Sequence, residues 1–311
     1  MLDVCLLGTG GTLPLPGRHL SATLVRLGGS LVLLDCGEGT QVALRARGWG
    51  MRHLNAVLIT HVHADHILGL PGLLLTLAFT GKGRDEPLTV YGPEPLEAVL
   101  KGLLVVAPRL PYPLHVVTLS GGESLPLAGI DGLRLACDVA DHDDVPCLAY
   151  ALELPRAPKF DVDRARELGL PVPLWGRLQR GEAVTFDGRT VLPDEVRGPE
   201  RRGLRLVLAT DTRPSARLVE FVSAGGTGAD LLIAEGMYGD EDMKPARWES
   251  PHMTFAEAAQ LARDGGAWRL WLTHYGPSLS DPDAYLHRAT SVFPATQLGH
   301  DGMTETLSFE Q

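Results

Sequence analysis

The segment AVLIT, Ala56 to Thr60, is almost wholly apolar, and the next six residues place three histidines and an aspartate at His61, His63, Asp65 and His66. A strand that is apolar on both faces belongs inside a layered sheet. Polar ligand-type residues directly after it belong on the loop at its carboxyl end, where α/β folds collect their chemistry. His61 and His63 alternate, so in extended backbone both side chains can face one ion. Asp65 and His66 follow where the chain turns into a helix and can face a second ion nearby. Imidazole and carboxylate together suit zinc. The bland reading, histidines that cap a helix or sit in solvent, is the weaker one for four such groups in six residues.

The rest of the chain is consistent with that architecture. DVCLLGTGG, SATLVRL, SLVLLDCG and LTVYG read as strands, as do LRLACDVA (133–140), CLAYALEL (147–154), LRLVLAT (204–210), DLLIAEG (230–236) and WRLWLTH (268–274). Helical composition falls at 40–49, 67–80 (with Pro71 early enough to be tolerated) and 94–105. Thr254 to Arg263 reads as an amphipathic helix with Thr254 and Glu257 forming a capping box. Between 155 and 203 the apolar pattern fades, and prolines and arginines accumulate around one short helix at Val162 to Leu168. That stretch is expected to be an insertion or protruding subdomain.

Bulk properties exclude little but point one way. No basic and apolar leader precedes the first strand, and the longest apolar run, Ile67 to Phe79, is too short to span a bilayer. Cys5, Cys36, Cys137 and Cys147 show no CxxC spacing, so they are expected to be reduced core thiols in a cytoplasmic protein. A net charge of −10 weighs mildly against a nucleic-acid partner, although a local basic patch can coexist with it.

Two ions need more ligands than the first cluster supplies. His142 in ADHDDVP, Asp211 in LATDTRP and His274 in LWLTHYG each follow a buried strand, as the first cluster does. Singly each is weak, because a strand-end histidine is more often a surface or capping group. Together they give seven ligand positions, enough for two ions sharing a carboxylate and a bridging water, an arrangement suited to hydrolysis.

HxHxDH after a buried strand is the hallmark of the metallo-β-lactamase superfamily, and the wider pattern resembles the ribonuclease Z family, which trims tRNA 3′ trailers. The matching pieces are LGTGGTLPLPGRHLSATLV, LLDCGEGTQ, LITHVHADHILGLPGLL, LTVYGP, ATDTRP, and LTHYGP followed by FPATQLGHDG, from residue 6 to about 302. The resemblance implies an αββα sandwich of two mixed β-sheets flanked by helices, a single catalytic domain over 1–311 with a substrate-binding arm inserted at 155–200. It implies two Zn2+ per subunit, with Mn2+ an alternative. His61, His63 and His142 would hold one ion, Asp65, His66 and His274 the other, and Asp211 would bridge them. Asp65 would orient or deprotonate the water between the ions. His252 matches the histidine of the family's His-Ser-Thr loop and Glu235 the glutamate of its His-Glu-Ala-Thr motif, a pair held to protonate the leaving 3′ oxygen. The implied substrate is precursor tRNA, cleaved to leave a tRNA 3′-hydroxyl, and the implied assembly is a homodimer without membrane attachment.

Three departures stand out. The His-Glu-Ala-Thr motif reads Ala234-Glu235-Gly236-Met237, the His-Ser-Thr loop reads His252-Met253-Thr254, and the arm's Gly-Pro pair reads Val172-Pro173, expected to stiffen a turn. Arg156, Lys159, Arg164, Arg166, Arg177, Arg180 and Arg189 make 155–200 locally basic, either a phosphate-gripping surface or a solvated face interleaved with Asp161, Asp163, Glu167 and Glu182. Trp175 either stacks on a base or anchors the arm. Gly8 to Gly11 reads as a turn, Glu38 as a turn residue or a support for a ligand, and His19 as structural or surface. A small-molecule phosphodiesterase or other ester hydrolase of the same fold is the alternative activity.

Overall fold

The computed structural model describes residues 1–83, 85–107, 109–245 and 250–309. Its first sheet contains β1 (Leu2–Gly8), β2 (Ala22–Leu27), β3 (Ser30–Leu34), β4 (Leu54–Leu58), β5 (Leu88–Gly92) and β6 (Leu114–Thr118). β7 (Ser124–Pro126), β8 (Arg134–Ala140) and β9 (Cys147–Arg156) begin the second sheet; β10 (Val184–Phe186) and β11 (Arg189–Val191) form a separate hairpin. β12 (Arg201–Ala209), β13 (Leu231–Glu235), β14 (Leu270–Thr273) and β15 (Thr296–Leu298) complete the second sheet, and β16 (Thr304–Leu307) returns to the first.

The strand orders are β16-β1-β2-β3-β4-β5-β6 and β15-β14-β13-β12-β9-β8-β7. Both sheets are mixed: β1 to β3 pair antiparallel and β3 to β6 parallel, while β12 to β15 pair parallel and β7 to β9 antiparallel. Alternation along each strand explains the layering. Leu2, Val4 and Leu6 of β1 join Tyr150, Leu206, Ile233 and Trp271 in a core between the sheets. Cys5 and Leu7 point the other way, into a second core with Leu44, Leu73, Leu77 and Leu100 from α1 (Thr40–Arg47), α3 (Leu70–Phe79) and α4 (Leu96–Leu103). A third core sets Val207 and Ala234 against Leu218 and Val222 of α7 (Ala216–Ser223) and Phe255 and Ala258 of α8 (Phe255–Asp264). Strands apolar on both faces are those that helices cover on one side and a second sheet on the other.

The helix expected over 67–80 is α3, starting at Leu70 with Pro71 in its first turn, and a separate short helix, α2 (Ala64–Ile67), precedes it. The Thr254 capping box forms as expected: Thr254 Oγ1 accepts from the Glu257 N–H at 3.2 Å, and Glu257 Oε2 accepts from the Thr254 N–H at 2.9 Å.

Residues Pro155–Gly203 form a compact unit of their own. It holds α5 (Val162–Glu167), α6 (Val172–Gln179) and the β10–β11 hairpin around Ala165, Leu170, Leu178, Val184, Val191 and Val196. Val172-Pro173 opens α6, in the first turn where proline is favoured, so the pair starts a helix rather than stiffening a turn. Trp175 donates from Nε1 to the Leu170 carbonyl at 2.9 Å and packs 5.5 Å from Phe160, which anchors it inside this unit. Five of the unit's arginines pair with carboxylates: Arg164 with Glu167, Arg166 with Asp163, Arg177 and Arg180 with Glu182, Arg189 with Glu195.

No described helix is long and apolar enough to cross a membrane. All four cysteines are free and buried, and burial pushes the Cys5 thiol up to about 11 and Cys137 up to about 12. Thiolate is the reactive form, so none of the four is expected to react with a thiol reagent at pH 8 until the protein is denatured, when all four react. Modification of a native thiol within minutes would contradict this packing.

Candidate metal centre

Ligand-type side chains cluster where strands end. β4 is followed by His61, His63, Asp65 and His66, β8 by His142, β12 by Asp211 and β14 by His274, while Glu235 is the last residue of β13. The structure brings all seven positions together. His61, His63 and His142 present donor atoms within 4.8 Å of one another, and so do His61, His66 and Asp211, and Asp65, His66 and His274.

One set is tighter than ordinary packing provides. His66 Nε2 lies 3.1 Å from His274 Nε2, 3.4 Å from Asp65 Oδ2 and 3.2 Å from Asp211 Oδ2, and His274 Nε2 lies 3.3 Å from both carboxylate oxygens. An ion with bonds of about 2.0–2.1 Å to four tetrahedral donors separates those donors by roughly 3.3–3.4 Å. The five separations given, 3.1–3.4 Å, fall at or near that spacing. On the other side His142 Nε2 and His63 Nδ1 are 3.2 Å apart, and His61 Nε2 is buried without a hydrogen-bond partner among the described residues. Buried polar atoms left this way are rare and call for a ligand. This donor set fits a divalent metal.

The backbone is held in unusual shapes to achieve this. Seven described non-glycine residues have left-handed φ, and five of them are at or beside the site: Thr12 (66°), Asp35 (59°), Asp143 (53°), Asp211 (55°) and His274 (54°). Such residues persist only where surrounding structure over-determines them, and they concentrate at functional sites. Thr12 is the clearest case, because its N–H donates to Asp65 Oδ2 at 2.6 Å. The same loop lies flat on His274: a Cβ at Gly11 would fall 2.6 Å from that ring.

Asp35 is the residue that the sequence reading passed over in favour of its neighbour Glu38. Glu38 is exposed, whereas Asp35 is buried. Asp35 Oδ2 is 2.8 Å from His66 Nδ1, and Oδ1 accepts from the Thr60 N–H at 2.8 Å and from Thr60 Oγ1 at 3.0 Å. Thr60 Oγ1 in turn faces His61 Nδ1 at 3.1 Å. One carboxylate thus fixes the Nδ1–H tautomer of two histidines, turning both Nε2 atoms towards the metal position. The available signal was its place at the end of β3, the rule that found the other ligands. His19, read as structural, donates its backbone N–H to Asp301 Oδ2 at 2.6 Å, with its ring Nδ1 2.9 Å from the same oxygen.

His252 and Glu235 meet as a pair, with His252 Nδ1 2.8 Å from Glu235 Oε2, while Glu235 Oε1 accepts from the Thr212 N–H at 2.7 Å. Burial opposes charge on His252, but the Glu235 and Asp211 carboxylates outweigh it and raise its pKa to about 9. His252, His142, His63, Asp65, Asp211 and Thr12 line a cleft of about 500 Å³. Burial lowers His142 to about 4 and holds His61 well below its ordinary value, leaving both as neutral donors. His66 is the opposite: burial opposes its charge, but Asp211 and Asp35 outweigh burial and raise it well above its ordinary value.

A metal at His66 Nε2 must therefore displace a proton. Raising the pH removes that competitor, so metal affinity is expected to rise by about tenfold per pH unit near neutrality for each proton displaced, with acid released on titration. Asp35→Ala is expected to lower metal affinity by about 10–100-fold in a chelator competition. Affinity flat with pH, or unchanged in Asp35→Ala, would contradict this geometry.

Comparison with known proteins places the chain. A family model described as Anti-Pycsar protein Apyc1 matches residues 2–105. Among solved structures, the metallo-β-lactamase fold protein YhfI of Bacillus subtilis is 20% identical with a TM-score of 0.68, over 98% of each chain. The short form of human tRNase Z is 22% identical with a TM-score of 0.66, over 99% of this chain and all of that one. These likenesses show the metallo-β-lactamase fold. The ribonuclease Z of Lachnospira eligens is 45% identical over all of this chain and 99% of that protein, and the ribonuclease Z of Clostridium kluyveri is 44% identical over the full length of both. This chain belongs to the ribonuclease Z family.

Proposed function

We propose that this protein is a metal-dependent endoribonuclease that removes the 3′ trailer from precursor tRNA and leaves a 3′-hydroxyl on the tRNA. The observation that supports it most is the conjunction of a converging His/Asp donor set with the His252–Glu235 pair on one cleft, in a chain 45% identical to a ribonuclease Z end to end. His61, His63 and His142 would hold one ion and Asp65, His66 and His274 a second, with Asp211 shared, and zinc suits this imidazole and carboxylate set. Bound there, such ions supply a water deprotonated near neutral pH and stabilise charge developing on the phosphoryl group.

The protein's own groups set up the rest. Asp65, held by the Thr12 N–H, would orient the attacking water. His252, kept protonated by Glu235, donates a proton to the leaving 3′ oxygen, and the Thr212 N–H holds Glu235 for that task. The unit at 155–200 would grip the tRNA. Because its arginines are engaged by Glu167, Asp163, Glu182 and Glu195, tRNA phosphates must exchange with those carboxylates. Exposed ion pairs contribute little net stability, so that exchange costs little. A homodimer and a cytoplasmic location complete the reading, the latter supported by four free thiols.

Three variants test it. Asp211→Ala is expected to abolish cleavage of precursor tRNA. His252→Ala is expected to lower kcat by about 10²–10⁴-fold with KM little changed, as for loss of a general acid. Deleting 160–195 is expected to abolish tRNA cleavage while sparing hydrolysis of a small phosphodiester. Undiminished cleavage by the deletion variant would remove the arm from substrate binding, and undiminished cleavage by Asp211→Ala would remove the metal mechanism.

A further inference from the structure

The histidines of the centre are not all held alike. His66 has Asp35 on its second ring nitrogen, His61 has Thr60 and His252 has Glu235. His274 has a buried Nδ1 with no partner among the described residues, and His142 lacks such support as well: its Nε2 faces His63, and its buried Nδ1 has no partner among the described residues. Metal-ligating imidazoles almost always use that second nitrogen to fix their orientation. Something else must aim this ring.

The loop that carries it is fastened on both sides by the residues directly after Asp211. The Arg213 N–H donates to the Asp141 carbonyl at 2.9 Å, and Thr212 Oγ1 accepts from the Asp141 N–H at 2.9 Å. The Arg213 guanidinium, with only 15% of its side chain exposed, lies 2.6 Å from Asp143 Oδ1 and 3.3 Å from Asp141 Oδ1. It thus grips the residue before His142 and the residue after it. Asp143 is also one of the left-handed residues, with φ 53°.

We propose that Arg213 is the positioning residue for His142, aiming the imidazole through the backbone by clamping Asp141 and Asp143, in place of a hydrogen bond to its ring. This rests on the reading that His61, His63 and His142 hold an ion. It also gives the Asp211-Thr212-Arg213 run three tasks in three residues. Asp211 faces both halves of the donor set, the Thr212 N–H holds Glu235 behind His252, and Arg213 fixes the loop that carries His142.

The test is zinc titration of the apoprotein against a chromophoric chelator, with thermal unfolding of each apoprotein alongside. The wild type is expected to bind two equivalents. Arg213→Ala is expected to weaken one of them by about 10–100-fold, the same one that His142→Ala loses. Adding Arg213→Ala to His142→Ala should cause no further loss. Arg213→Lys should restore part of the affinity, since an ammonium keeps the charge but not the fork that spans two carboxylates. kcat should fall with KM for precursor tRNA within about twofold, as for loss of an interaction that does not bind substrate. If the Arg213→Ala apoprotein does not fold, Arg213→Lys and Asp143→Ala carry the same comparison, each with a smaller loss confined to that equivalent. Both equivalents at wild-type affinity in folded Arg213→Ala would overturn the inference. A raised KM with metal binding intact would overturn it too and assign Arg213 to substrate phosphate instead. A wild type that binds no zinc would overturn the metal reading itself, and this inference with it.

Discussion

The structure depends on keeping Asp211 where it is. Asp211 is 2% exposed, on a left-handed backbone at the end of β12, with His61, His66, His252 and His274 around its carboxylate. Moving such a charge out of water costs several kcal/mol unless cations and hydrogen bonds compensate. In the protein alone, that compensation is His66 held protonated between Asp211 and Asp35. A divalent ion held by Asp65, His66 and His274 would supply the same compensation. Proton and metal would thus compete for one arrangement of donors.

That arrangement is possible because strands from two sheets deliver their carboxyl ends to one place. β3 and β4 bring Asp35 and the first cluster, while β12, β13 and β14 bring Asp211, Glu235 and His274. Parallel pairing of β3 with β4, and of β12 with β13 and β14, aligns those ends. The left-handed residues lie just beyond them, where the chain must turn sharply to keep its side chains over the sheet edge. Strain of this kind is typically worth about 1–3 kcal/mol per residue and is carried here by the three apolar cores beneath.

Much of this was legible in the sequence, for a physical reason. Fully buried strands such as β4 and β13 leave long apolar runs, and ligand residues after them are conspicuous. The edge strands β6, β7, β15 and β16 were not legible, because half-exposed edges mix polar and apolar residues and lose the pattern. Helix α6 was missed because Pro171 and Pro173 look like breakers, although proline in a first turn starts a helix. At the site, the residues of ligand type that converge could be named from type and position. Those that act at one remove, Asp35 through Thr60 and Arg213 through the His142 loop, could not, since only folding brings a carboxylate 31 positions away against a histidine.

The central claim is that water activated at this centre cuts the phosphodiester of a tRNA trailer. End-group mapping of a precursor tRNA cut by metal-repleted protein, beside the same protein stripped by chelator, tests it most directly. The account predicts cleavage only with metal, with a 3′-hydroxyl on the tRNA and a 5′-phosphate on the trailer. A 2′,3′-cyclic phosphate on the tRNA, or equal cleavage by the stripped protein, would contradict it.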